Sequence, residues 1–229
     1  MFKAIIFDRD GVIIDSEGNN WKTAQQVSYD LAGITLTDDD RHIVIAKNPR
    51  DYLASLRQKY PPLDMVSDAD FLAETASVYR SLMTTIVSIQ PAVDAIQRLH
   101  ELGLRLALNT SSHLHETLDI IEQQWLTNCF EVCTTFNDGC PRKPDPASYL
   151  LTAQKLGLSP SDCVAIEDSS FGLQSAKAAG MSCIVIPNSY TKEQDFWLAD
   201  VILASAEEIT IPLLESLRGT KQSMIINNL

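Results

Sequence analysis

Four apolar residues in succession, Ala4-Ile5-Ile6-Phe7, stop on an acid at Asp8, and they open a series. Residues 104–109, 164–166, 183–186 and 201–203 read the same way, with a weaker instance at 130–134. A run so short, without polar alternation, suits a strand covered on both faces. Segments of helical period lie between the runs. Residues 91–102 place Val93, Ile96, Leu99 and Leu102 on one face, and Gly103 follows as a stop. Residues 147–156 and 170–179 behave alike, closed by Gly157 and Gly180. Strands alternating with helices predict βαβ units, so the expected fold is α/β with a mainly parallel sheet.

Residues 16–88 break this rhythm. Helical patterns occupy 19–32, 38–46, 49–59 and 68–86. The expected organisation is a core of residues 1–15 and 89–229, with a small helical domain of residues 16–88 inserted after the first strand. Within the insert, Asp38-Asp39-Asp40 reads as a helix N-terminus capped by Thr37, with acids at the positive end of the helix dipole. The polar tail from Gly219 is expected to be loose.

Charge narrows the partners. Thirty acids against 18 bases give the 229-residue chain a net charge of −12. That surface repels nucleic acid and anionic membrane, so neither is an expected partner, although a local basic site could still collect an anionic ligand. No apolar run approaches the roughly 20 residues of a membrane-spanning helix. The cysteines at 129, 133, 140, 163 and 183 are odd in number and form no Cys-x-x-Cys, which suits free thiols in a reducing compartment. An acid arrives by Asp8, too early for a signal peptide, so a cytoplasmic location is expected.

Four clusters could carry chemistry. Asp8-Arg9-Asp10-Gly11-Val12 puts two carboxylates just past the first strand, at the edge where open α/β sheets bind ligands. Clustered acids repel unless a cation joins them, and Mg²⁺ with oxygen ligands would do so. Glu167-Asp168-Ser169 follows the strand at 164–166 and, in a parallel sheet, shares that edge. Asn109-Thr110-Ser111-Ser112 offers hydroxyls and N–H groups at a helix start, an anion site. Arg142-Lys143-Pro144 brings basic residues that could meet an acidic cluster or a phosphate. Each has an ordinary explanation taken singly: a turn, a helix cap, an exposed loop. Together they suit Mg²⁺-dependent phosphoryl transfer, in which positioning and charge neutralisation dominate.

In order along the chain, Asp8-x-Asp10-Gly11-Val12, Thr110-Ser111-Ser112, Lys143-Pro144 and Glu167-Asp168-Ser169 resemble the four motifs of the haloacid dehalogenase-like (HAD) hydrolases. Residues 165–181 are especially close to the subgroup that holds β-phosphoglucomutase, phosphoglycolate phosphatase and small sugar phosphatases. The resemblance spans about residues 1–205 and implies a Rossmann-like core with a helical cap. It implies Asp8 as nucleophile forming an aspartyl-phosphate and Asp10 as acid and base. Mg²⁺ would sit on the Asp8 carboxylate, the Asp10 main-chain carbonyl, Asp168 and Glu167, the last directly or through water. Thr110, Ser111 and following N–H groups would hold phosphate oxygens, and Lys143 would balance charge. Cap loop residues 46–50, with Arg50, fall where relatives bind the distal part of the substrate.

There are departures. Gly18-Asn19-Asn20 stands where close relatives often carry Pro-x-His, so the cap His of the mutase is Asn20 here. Arg142 precedes Lys143 where Gly is usual. The resemblance thus implies a phosphatase acting on a small phosphorylated metabolite such as a sugar phosphate or a phosphoglycolate-like compound, as a monomer or weak dimer. A hexose-phosphate mutase is the enzymatic alternative. A non-catalytic binding protein on the same fold is the other, and it would usually have lost Asp8, Asp10 or Lys143.

Overall fold

The structure is a computed structural model that describes residues 1–45, 47–83 and 86–226. The chain runs β1 (Ala4–Phe7), α1 (Ser16–Ala32), α2 (Arg41–Val44), α3 (Pro49–Lys59), α4 (Asp68–Met83), α5 (Gln90–Glu101), β2 (Arg105–Asn109) and α6 (Leu114–Gln123). It continues through β3 (Val132–Thr134), α7 (Ala147–Lys155), β4 (Cys163–Glu167), α8 (Ser170–Ala178), β5 (Ser182–Val185), β6 (Val201–Ile202) and α9 (Ile211–Ile226).

The strands form one parallel sheet in the order β3-β2-β1-β4-β5-β6. From β1 the chain builds outward on one side through β2 and β3, then returns to the other side at β4. The order therefore reverses between β1 and β4, the point at which such sheets bind ligands. Register decides what stands there. Phe7 is level with Leu108 and with Ile166, so the next residues, Asp8, Asn109 and Glu167, stand abreast of one another at the strand ends. The Asp8 N–H still donates to the Ile166 carbonyl at 2.9 Å, which ties the first acid to the strand carrying the second.

Both faces of the sheet are covered, as the unbroken apolar runs require. Ala4, Ile6, Ala107, Ala165 and Cys183 meet Tyr149 and Ala153 of α7 and Leu173 and Ala176 of α8. The small residues on this face bring the helices close. By alternation, Ile5, Phe7, Leu106 and Leu108 project to the opposite face, and α5 packs on β2 with Val93, Ile96 and Leu99 buried.

The chain divides into two compact units, Met1–Ile14 with Ser88–Leu229, and Asp15–Val87. The second unit has its own core, in which Trp21, Val27, Leu36, Leu53, Leu56, Leu63 and Phe71 are buried together. Its acidic run is more than a helix start. A 3-10 turn at Asp38–Asp40 precedes a short α2, where one helix over 38–46 was expected. Asp40 is fully buried and accepts from the Thr37 N–H at 2.9 Å, the Tyr60 hydroxyl at 2.8 Å and Lys59 at 2.5 Å. The carboxylate is thus held by its own cap residue and by two donors about twenty residues on. Residue 46 of the expected cap loop, and residues 84 and 85 of the expected 68–86 helix, lie outside the described residues.

The backbone of the tail from Gly219 is helical as far as Ile226, where α9 ends. A single glycine lowers helix stability by only about 1 kcal/mol and need not end a helix. All five cysteines are free thiols. No helix among the described residues is long and apolar enough to cross a membrane.

Candidate active site

Asp8, Glu167 and Asp168 are buried where β1 and β4 end, and each offers a carboxylate oxygen within 4.8 Å of the others. The Lys143 ammonium lies against two of them. Its Nζ donates to Asp8 Oδ1 at 2.5 Å and to Glu167 Oε1 at 2.6 Å, with 11% of the side chain exposed. Below it the Tyr149 ring lies 4.9 Å away, and the Tyr149 hydroxyl donates to the same Glu167 oxygen at 2.5 Å. Burial pushes the Asp8 carboxyl up to about 7; Glu167 and Asp10 add to the rise and Lys143 opposes it. Burial alone would lower the Lys143 pKa, but Asp8 and Glu167 outweigh it and keep the amine charged.

Three buried carboxylates against one ammonium leave a surplus of negative charge in a site that water cannot screen. A hard divalent cation with oxygen ligands fits that donor set. HAD-family phosphatases generally use a divalent metal, and here Asp8, Glu167 and Asp168 are the side chains that could hold one.

The surrounding backbone is fitted to these acids. Gly11 has φ +79°, and a Cβ there would overlap the Asp168 carboxylate. Gly172, in the first turn of α8, likewise leaves room only for the Glu167 carboxylate. We expect Gly11→Ala to lose about 1–2 kcal/mol of stability from the left-handed backbone alone. It should also weaken divalent-cation binding, because Asp168 must move. Calorimetric titration with Mg²⁺ measures the second effect, and unchanged affinity would show that Asp168 is not a ligand.

The Asp10 carboxylate is not part of the trio. It is held from the other side, by Thr110 Oγ1 at 3.1 Å and Ser112 Oγ at 2.9 Å, both donating to Oδ2. Thr110 Oγ1 in turn accepts from the Ser112 N–H at 3.1 Å, which shapes the turn after β2. Of the expected phosphate cradle, Thr110 is buried in this cluster, while Ser111 is exposed on the turn. Arg50 is exposed in the first turn of α3, in the second unit; its N–H donates to Asn48 Oδ1 at 3.0 Å.

Three participants are absent from the motif reading. Tyr149 lies in the first turn of α7, six residues past Lys143, and no sequence pattern marks it. Asn188 follows β5 at the same sheet edge; its Nδ2 donates to Asp168 Oδ2 at 2.8 Å and to the Gly11 carbonyl at 3.4 Å. Arg9, between the two motif acids, is fully buried.

Comparison with known proteins gives the relatives of the chain. The family model described as haloacid dehalogenase-like hydrolase matches residues 5–186. The protein YhcW of Bacillus subtilis is 32% identical over 222 residues, covering 93% of this chain and 96% of its own. Hexitol phosphatase B of Escherichia coli is 31% identical over 209 residues, covering 90% and 94%. Among solved structures, CbbY from Rhodobacter sphaeroides in complex with xylulose 1,5-bisphosphate superposes with a TM-score of 0.74 at 25% identity, covering 91% of this chain and 96% of that one.

Proposed function

The chain belongs to the haloacid dehalogenase-like hydrolases, and from that premise we propose that it is a Mg²⁺-dependent phosphatase acting on a small phosphorylated sugar or sugar alcohol. The observation that carries the reading is the pairing of Lys143 with Asp8 and Glu167 at the mouth of the β1–β4 crevice. In this reading an Asp8 oxygen attacks phosphorus in line, and the bond to the leaving oxygen breaks. Asp10 protonates that oxygen. Asp10 then takes a proton from water as the water attacks the aspartyl-phosphate, which returns Asp8 and releases inorganic phosphate. Lys143 holds Asp8 in place and offsets charge on the phosphoryl group. Mg²⁺ bound to Asp8, Glu167 and Asp168 would neutralise the phosphoryl oxygens.

The substrate class is taken from the relatives, which include a hexitol phosphatase and a fructose-1-phosphate phosphatase. Asn20, where the mutases of this subgroup carry His, favours hydrolysis over a mutase cycle. The direct test is phosphate release from p-nitrophenyl phosphate with Mg²⁺ and with a chelator. Release that depends on Mg²⁺ supports the reading. No release from this ester or from a panel of sugar phosphates would favour a non-catalytic binding protein.

We assign the helical unit Asp15–Val87 the role of a cap that selects substrates, with Arg50 as its anion-recognising residue. Arg50→Ala should raise KM for bisphosphorylated or carboxylated substrates by the equivalent of about 1.5–3 kcal/mol, the worth of a charged hydrogen bond. Hydrolysis of p-nitrophenyl phosphate, which has no second anion, should hardly change. Equal losses on both kinds of substrate, or no loss on either, would remove Arg50 from recognition.

A further inference from the structure

We propose that Arg9 is a positioning residue that fixes the orientation of the Asp10 carboxylate. The inference rests on the reading of Asp10 as acid and base and adds a residue that the family motif leaves open. Arg9 is the largest fully buried side chain among the described residues, and it carries a charge. Its Nε donates to Asp10 Oδ2 at 3.1 Å and its Nη2 to Asp10 Oδ1 at 2.9 Å. Nη2 also donates to Ser112 Oγ at 2.6 Å, and the Ser112 hydroxyl donates in turn to Asp10 Oδ2 at 2.9 Å. Both oxygens of Asp10 are therefore met by one planar fork, which sets the plane of the carboxylate as well as its place.

The contact is not one that a strand would make by itself, since successive residues of a strand point to opposite faces. It forms because the chain turns directly after β1. The Ile13 and Ile14 N–H groups donate to the Arg9 carbonyl at 2.8 and 3.2 Å, and the Gly11 N–H to the Ile14 carbonyl at 2.8 Å. These bonds use main chain only, so the turn does not need a guanidinium. A buried ion pair is a weak source of stability because both partners lose their hydration. What the guanidinium adds is direction, and lysine could not replace it, because a point charge supplies no fork.

The experiment compares phenyl phosphate with p-nitrophenyl phosphate in the presence of Mg²⁺. The phenolate leaving group needs a proton and the nitrophenolate hardly does, so a misdirected acid is felt only on the first. Arg9→Met should lower kcat/KM on phenyl phosphate by roughly 10²-fold, the usual cost of misplacing a catalytic group by about 1 Å. On p-nitrophenyl phosphate the loss should stay within about threefold. Arg9→Lys keeps the charge without the fork and should show the same selective loss, which carries the test if the Met variant does not fold. In an Asp10→Asn background, Arg9→Met should add nothing further. Equal losses on both esters, full activity of Arg9→Lys on phenyl phosphate, or an additional loss in the Asp10→Asn background would each overturn the proposal. Wild-type protein that hydrolyses neither ester, or Asp10→Asn that loses equally on both, would overturn the acid-base reading beneath it and the proposal with it.

Discussion

Asp8→Asn is expected to abolish turnover, by on the order of 10⁴-fold or more, while the protein remains folded. An amide is nearly isosteric with the carboxylate but cannot form the acyl-phosphate. The change also alters how stability depends on pH, and the sign is informative. The folded-state pKa of Asp8 is raised from 3.8 to about 7, with burial as its largest cause. The protonated carboxyl therefore favours the folded state. That contribution is complete below the unfolded value and is lost as pH rises through the folded one. In the presence of a chelator, Asp8→Asn should become progressively more stable relative to wild type between about pH 4 and about pH 7. Mg²⁺ should narrow the difference above that range by neutralising the ionised carboxylate. Thermal melts across the range measure it. A wild type that instead gains on the variant as pH rises would mean that Lys143, and not burial, dominates the Asp8 environment. Activity within tenfold of wild type would remove Asp8 as nucleophile.

Lys143→Met is the second large effect, and it should reach activity and stability together. The Lys143 ammonium lies against Asp8 and Glu167, and its removal leaves both buried carboxylates facing each other. Breaking a buried pair in this way costs about 3–5 kcal/mol, because the remaining charge has lost its hydration without a partner. Part of that loss should return on adding Mg²⁺, as ligand binding to the folded state is stabilising. Turnover should not return with it. Losing one preorganised charge beside the transferring group typically lowers kcat about 10²–10³-fold. Denaturant melts with and without Mg²⁺, alongside initial rates, separate the two effects. A variant as stable as wild type without Mg²⁺ would show that Lys143 does not compensate the buried acids. Wild-type kcat would show that it takes no part in the chemistry.

Much of the candidate site was legible because it is written next to strands. Asp8 follows Phe7 directly, Thr110 begins just past β2, and Glu167 and Asp168 stand where β4 ends. A parallel sheet places all such positions at one edge, so apolar periodicity was enough to bring the acids and hydroxyls together. Lys143 was legible by its charge in an acidic chain, and the helical insert by its change of period. The partners at 38–46 were not, since Asp40 is met by Lys59 and Tyr60, about twenty residues on, as well as by Thr37 beside it.

Sequence alone therefore determined the parallel α/β core, the inserted helical unit and the residues that meet at the sheet edge, because those follow from repeats between chain neighbours. Tertiary structure decided the partners. Tyr149 reaches Glu167 across 18 positions, Arg9 reaches Ser112 across 103, and Asn188 reaches Gly11 across 177. None of these bonds has a local pattern, since each depends on how strands, helices and turns distant in the chain are brought together at the strand ends. A charged or polar side chain buried at such a junction must find a partner, and only the assembled fold specifies which partner is within reach.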